Sequence, residues 1–508
     1  MTGRTVVTFL LVATVVVAAL IGVAIGIVKL APIVAHTGRT SSTVAGASGT
    51  VNCNDTDDYG APKPGVTAQA LIAACTADIE SGWHLGSVLA VDYNNRGLAY
   101  RDGRQFDLAI ADLDKALELK PDLASALNNR GLTYEDKGLY DRAIQDFNAG
   151  LALTPNDPTL HGNRGLTYLD KDMYDRAIQD LDEALRLKPG DAFAHNNRGL
   201  AYRDKGLYDR AIPDFDEAIR LKPDLAMAFA NRGLTYHDRG DNQRAVQDID
   251  RALQLDPTDA LAFNNRGLAY LDLNQPDRAI QDLDRAIALK PDLSMAFTNR
   301  GLAYRDKSQY DRAVQDFNQA IRLQPDDAMA FNNLGLTYLD QDQYDQAIEQ
   351  LDRAIALKPT LATAFSNRGL AYFDKNDYDR AIEDLNQAIR LKPGLAVAWQ
   401  NRGAAFREKG QLERALQDFS QAITLNPASA GALASRAWIE LRRNELDDAG
   451  TDFAAALKID PKRAMSLCGQ GLVKKRQGDR AGAEQDFAAA RAIDPGIDKK
   501  VSNLGYKL

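Results

Sequence analysis

Twelve prolines stand 34 residues apart along this chain: Pro121, Pro155, Pro189, Pro223, Pro257, Pro291, Pro325, Pro359, Pro393, Pro427, Pro461 and Pro495. A spacing that never slips requires one structural unit repeated in register, because an insertion inside any unit would displace every later proline. Proline lacks an N–H and clashes with the preceding turn, so each one marks where a helix stops. A unit this short buries its apolar face only against its neighbours. The 508 residues therefore build one stacked series, not several separate globular domains.

With proline at position 32, the units run from 90–123 to 464–497. Position 8 is glycine in eleven units, with Ala437 the exception. Position 20 is alanine in all twelve, and position 27 in all but the second, which has Gly150. Positions 4, 8 and 11 share one stripe of a first helix, and 20, 24 and 27 one stripe of a second. Small residues at 8, 20 and 27 let the axes approach, while Phe229, Phe263, Phe297 and Trp399 at position 4 and Phe147, Phe215 and Phe317 at position 24 fill the space between. Aspartate at position 18 (Asp141, Asp175, Asp209, Asp311) is placed to cap the second helix. The pattern has a mostly aromatic position 4, glycine at position 8, tyrosine at 11, alanine at 20 and 27, and proline at 32. It resembles the tetratricopeptide repeat family over residues 90–497. That resemblance implies an all-α solenoid of about twelve antiparallel helix pairs, stacked into a right-handed superhelix with a concave groove.

The ends depart from the repeat. Residues 6–28 are uncharged and apolar. At about 1.5 Å per residue they give a helix of roughly 35 Å, enough for a hydrocarbon core of about 30 Å. The run exceeds the apolar core of a cleavable signal peptide, so residues 1–30 are expected to be a transmembrane anchor. Charges flanking it nearly cancel and leave orientation open. Residues 31–66, rich in Ser, Thr and Gly, read as a flexible linker. Residues 67–89 read as a capping helix region and 498–508 as a C-terminal capping helix. Cys53 and Cys75 are either a disulfide formed in an oxidising compartment or two unrelated thiols. The first alternative places the repeats outside the cytoplasm, in a periplasm-like space, on a single-pass membrane protein.

The stripe of the first helix opposite its packed face holds positions 2, 6, 9 and 13. Position 6 is asparagine in ten successive units: Asn95, Asn129, Asn163, Asn197, Asn231, Asn265, Asn299, Asn333, Asn367 and Asn401. Position 9 is leucine in the first nine units, including Leu234, Leu268 and Leu302. Position 13 is aspartate in the same nine, including Asp238, Asp272 and Asp306. An asparagine amide both donates and accepts, so a regular row of them can pair with the backbone of an extended chain. The row is similar to the asparagine ladder in the repeats of the O-linked N-acetylglucosamine transferase family, which binds peptide backbone; no transferase domain accompanies it here. The leucines would add apolar contact, and the aspartates would favour lysine or arginine on the ligand. The alternative is that the asparagines hydrogen-bond the neighbouring helix and the aspartates are solvated surface charge.

Position 7 is arginine in ten units and position 23 aspartate in eleven. The eighth unit loses both together, to Leu334 and Gln350. This joint loss points to an Arg–Asp bridge between the two helices of a unit. The twelfth unit, where Gln470 faces Asp486, weakens the pairing. The five histidines, His36, His84, His161, His195 and His237, show no metal-ligand spacing, and no phosphate-binding glycine loop or nucleophile elbow is present. No catalytic residue, cofactor, metal or small-molecule substrate is expected, and the chain is not expected to be an enzyme. A net charge of −9 argues against nucleic acid. The expected function is that of a membrane-anchored scaffold holding a protein or extended peptide in its groove. The alternative is a structural component of a membrane complex, contacting partners through its convex or edge surfaces.

Overall fold

From the second unit to the eleventh, the first helix occupies positions 1–13 and the second positions 17–30, as in Ala124–Asp136 and Tyr140–Leu153. The computed structural model describes residues 51–56, 63 and 65–507, which hold 26 helices and no strand. The expected anchor at 1–30 and most of the expected linker lie outside the described residues. Among those described, no helix is long and apolar enough to cross a membrane. The described chain forms two compact bodies, one reaching to Ala269 and one beginning at Tyr270.

The two helices of a unit turn at position 15, which has positive φ in all twelve units, from Arg104 (57°) to Gly478 (94°). Glycine, asparagine or aspartate stands there in most units, the residues that enter the left-handed region at least cost. Arg104 and Ser308 adopt it without that advantage. Beyond the turn, Gly131 packs on Phe147 so tightly that a Cβ would fall 2.7 Å from Cε1 of the ring. Ala143, Phe147 and their counterparts at positions 20 and 24 are fully buried.

Aspartate at position 18 does not cap the second helix. That helix begins at position 17, so its N-cap is position 16, where Leu139 and Met173 supply no side-chain bond. Asp241 and Asp377 do cap from position 16, onto the amides of Arg244 and Arg380. Position 18 lies in the first turn, where a negative charge suits the helix dipole. Its carboxylate pairs with position 14 of the next unit, as in Lys171–Asp141, Lys205–Asp175 and Arg239–Asp209.

At the N-terminal end, helix Ala68–Ser81 is capped by the Thr67 hydroxyl. The Cys53–Cys75 disulfide, with Cα atoms 4.5 Å apart, draws residues 51–56 onto it. Cys53 is fully buried, and Lys63 donates its backbone N–H to the Asp55 carbonyl at 2.9 Å. The described part of the expected linker is therefore folded, because a crosslink and backbone bonds override its polar composition. At the other end the capping helix is Ile497–Asn503 and stops short of the expected 508. Gly505 turns the chain at φ 86°, and Tyr506 packs on Trp438 with ring centroids 5.6 Å apart.

Candidate functional site

The seams between units are built on arginine. Arg198 at position 7 donates through Nε and Nη2 to both oxygens of Asp214 at position 23, at 2.8 and 2.6 Å. The same fork recurs at Arg96–Asp112, Arg300–Asp316 and Arg436–Asp452. Burial alone would raise the Asp214 carboxyl, but Arg198 and His195 together draw it below its ordinary range. In the eighth unit Leu334 is buried in the arginine's place. In the twelfth, Lys474 reaches Asp486 at 2.8 Å instead. The remaining Nη1 turns to position 25 of the preceding unit: Arg198 meets Asp182, Arg164 meets Asn148, and Arg436 meets the Ser420 hydroxyl. Each guanidinium thus joins three helices. The sequence reading missed this second contact, since its acceptors differ from unit to unit.

The asparagines of position 6 are inside these seams, in the arrangement that the alternative reading expected. Asn95, Asn129, Asn163, Asn197, Asn231, Asn265 and Asn401 are buried, and Asn299, Asn333 and Asn367 are partly buried. Where the preceding unit has asparagine at position 5, the amide donates to it: Asn129 to Asn94 (3.0 Å), Asn163 to Asn128 (2.8 Å), Asn231 to Asn196 (3.0 Å) and Asn367 to Asn332 (3.0 Å). Within a unit, Asn94, Asn196, Asn264 and Asn332 donate to Asn95, Asn197, Asn265 and Asn333. In the first unit Asn95 donates to the Cys53 carbonyl at 3.0 Å. A buried amide must satisfy its own donors and acceptors, and the adjacent unit does so before any ligand arrives. The signal for this lay in the sequence: asparagine at position 5 in Asn94, Asn128, Asn196, Asn264 and Asn332.

What remains open on the stripe is its acidic row. Leu234 is buried, and Leu268 and Leu302 are partly buried. Asp238 and Asp306 are exposed and Asp272 is partly so. Position 13 pairs backward when position 12 of the preceding unit is arginine: Arg101–Asp136 at 2.5 Å, Arg203–Asp238 at 3.3 Å and Arg305–Asp340 at 2.6 Å. Among the described residues, Asp170, Asp306 and Asp374 carry no ion pair, since Glu135, Leu271 and Leu339 stand at that place. Burial, with Asp172 adding repulsion, pushes the Asp170 carboxyl up to about 6.

Several other polar groups are already committed. His161 and His195 lie within 3.1 and 3.2 Å of Asp180 and Asp214, and their Nε2 atoms meet the carbonyls of Pro155 and Pro189. They act as structural cross-links. Cys53, Asp78 and Asp92 converge, but the Cys53 sulfur is committed to the disulfide and is no metal ligand. Cys468 is a buried thiol whose pKa burial pushes up to about 12, which leaves it unreactive. Glu135, buried at a position where four units carry leucine, is one titratable group that the sequence reading passed over.

Sequence profiles described as TPR repeat match residues 301–342 and 335–375. Profiles described as tetratricopeptide repeat match 94–158, 163–226, 233–298, 362–395 and 396–429. A search of curated proteins gives no match. Among solved structures, the chain is similar to the APC/C hetero-tetramer Cut9–Hcn1, at 14% identity over 80% of this chain and 93% of that one, with a TM-score of 0.46. It is similar to a tetratricopeptide repeat protein from Parabacteroides merdae, at 20% identity over 49% of this chain and 98% of that one, with a TM-score of 0.42. It is also similar to yeast Tom70, at 21% identity over 86% of this chain and 95% of that one, with a TM-score of 0.41.

Proposed function

Because the chain belongs to the tetratricopeptide repeat family, whose stacked helix pairs make scaffolds suited to protein binding, we propose that it holds partner proteins along its first-helix acids. The segment it takes is an extended one bearing lysine or arginine. The observation that carries this reading is the row of carboxylates at position 13, in which Asp170, Asp306 and Asp374 form no ion pair among the described residues. Carboxylates held outside any ion pair gain most from a ligand that brings a cation to them. The asparagines position the helices that present the row.

The test uses a short peptide of alternating lysine and alanine, with a glutamine–alanine peptide as control. The full chain should bind only the first, more weakly as salt rises. Changing Asp272, Asp306 and Asp374 together to asparagine should weaken binding roughly tenfold or more. Binding that survives this triple change unaltered removes the reading.

Residues 6–28 would anchor the scaffold as a single membrane span, with the repeats on the extracytoplasmic, periplasm-like side. An apolar run of spanning length supports the anchor, and the Cys53–Cys75 pair supports the side, since such crosslinks persist in oxidising compartments. A topology reporter fused after Leu508 tests it; activity confined to the cytoplasm rules the orientation out. A second reading, an assembly component that docks by an edge, is favoured by Trp83 and Leu85. They are 87% and 74% exposed in the turn before the first unit. Loss of partner capture in Trp83→Ser, with the acidic row intact, would favour it.

A further inference from the structure

Position 12 lies near the end of each first helix, and its leucines are packed inside. Leu169, Leu271, Leu339 and Leu441 are buried there. In the second unit the residue is Glu135. It is only 5% exposed, and neither of its carboxyl oxygens has a hydrogen-bond partner among the described residues. A carboxyl group is a poor substitute for leucine in packing, and an unmet one is costly, so its presence calls for a role.

The groups facing it are few. Arg101, one unit back, is committed to Asp136 at 2.5 Å. Thr167, on the following first helix, lies close enough to draw the Glu135 carboxyl down a little, but its one hydroxyl proton goes to the Asn163 carbonyl at 3.0 Å and leaves Glu135 without a donor. Asp170, on that same helix, has no ion pair among the described residues, and Tyr140 opens the second helix of Glu135's own unit. Of these three carboxyls, Asp136 takes the Arg101 guanidinium, Glu135 feels it only through space, and Asp170 has none. Asp136 is exposed and Asp170 partly so, and they form a rim that meets solvent above the enclosed Glu135 oxygens.

We infer that Glu135 and Asp170 form a receptor for one lysine or arginine side chain of the bound segment, which seats as a proton leaves Glu135 for solvent. The exchange balances: a neutral acid and an incoming cation become an ion pair plus a released proton. Burial first, then the Asp170 charge, hold the Glu135 carboxyl up to about 8, so the proton is present at neutral pH before the ligand arrives. A cation placed beside the pair reverses the second effect and stabilises the carboxylate. The other two acids of the row without an ion pair, Asp306 and Asp374, have leucine behind them, so this receptor occurs once among the described units and sets the register of the ligand. The inference rests on the acidic row holding a basic segment.

The experiment is titration calorimetry of the full chain with the lysine–alanine peptide at pH 7, in two buffers of different ionisation enthalpy. The expected result is release of close to one proton per peptide bound. Glu135→Leu keeps the packing already used by Leu169, Leu271 and Leu339. It should abolish that release and weaken binding roughly fivefold or more. Asp170→Asn should weaken binding as well. Salt-sensitive binding without proton release, or Glu135→Leu binding with unchanged affinity, overturns the receptor and leaves the acidic row standing. Absence of any binding by the unaltered chain removes both.

Discussion

Gly469 lies beneath the ring of Phe453 so closely that a Cβ on it would fall 2.1 Å from Cζ. In other units the ring or branched chain at position 24 rests instead on the position 8 glycine of its own unit, as Phe215 does on Gly199. The eleventh unit has Ala437 at position 8, and its methyl group displaces Phe453 toward the next unit. Position 6 of that unit, elsewhere usually asparagine, is accordingly glycine. Gly469→Ala should cost about 2–3 kcal/mol through overpacking, although alanine is the better helix former. Adding Ala437→Gly should recover most of the loss by letting the ring return. Urea unfolding of the single and double variants measures the coupling. An additive result would show that the two sites are independent.

Arg300 and Asp316 make a second coupled pair. The Asp316 side chain is 8% exposed and is held by two nitrogens of Arg300, at 2.8 and 2.7 Å. Arg300→Leu alone leaves that carboxylate buried without a partner, and should cost about 3–5 kcal/mol. Arg300→Leu with Asp316→Gln reproduces the eighth unit, where Leu334 and Gln350 already stand together. The double variant should be clearly more stable than the single. The guanidinium also contacts exposed Asp284 at 2.6 Å, a pair worth about 0.2–1 kcal/mol at the surface. Thermal unfolding of the three chains reads the cycle.

That bridge was legible before any coordinates, because the eighth unit changes Leu334 and Gln350 at once. The helix pair itself was legible too: the apolar stripes mark a first and a second helix in each unit, and proline at position 32 marks where the unit closes. The asparagine row was legible as a pattern, with its bond to the neighbouring helix as one of two readings that periodicity could not separate. Periodicity places Asn231 opposite the packed face of its own unit. It says nothing of the neighbouring first helix, whose Asn196 accepts the amide proton at 3.0 Å. A wheel drawn for one helix omits the stacking direction, and in a repeat series that direction buries half of what the wheel shows as open. Position 25 was hidden for another reason. Asp182, Asn148 and Ser420 accept the same Nη1–H bond, so chemistry is kept while identity is not. The cap assigned to Asp141 failed on register, since the helix opens a residue before it.

Ser308 gives a test of the turn. It holds φ 56° at position 15, where Gly206, Gly240 and Gly410 stand in other units. The left-handed region costs an ordinary L-residue about 1–2 kcal/mol that glycine does not incur. Glycine's greater freedom in the unfolded chain offsets part of this. Ser308→Gly should therefore stabilise the seventh unit by about 0.5–1 kcal/mol. Slower hydrogen exchange in helices Ser294–Asp306 and Tyr310–Leu323 would record the gain. Faster exchange there would mean that the serine contributes something its backbone angle does not reveal.

Stability should also depend on pH at the seam between the second and third units. The native Glu135 carboxyl keeps its proton up to about pH 8, because burial and Asp170 oppose its ionisation. In the unfolded chain an ordinary glutamate loses its proton near about pH 4.3. Between those values the unfolded state binds fewer protons than the native state, so stability falls as pH rises, by at most about 1.4 kcal/mol per unit, and levels off above about pH 8. Repeat chains open segment by segment, so the effect belongs to local exchange more than to a single melting point. Amides of helices Ala124–Asp136 and Pro158–Asp170 should lose protection from about pH 5.5 to 7.5 after correction for intrinsic rates. Glu440, whose carboxyl burial raises to about 7, should produce a similar trend confined to the eleventh unit. In Glu135→Leu the first trend should vanish while the second persists, and protection at the upper end of that range should exceed that of the unaltered chain. If both trends survive the substitution, Glu135 is ionised in the native state and its surroundings must supply a counter-charge.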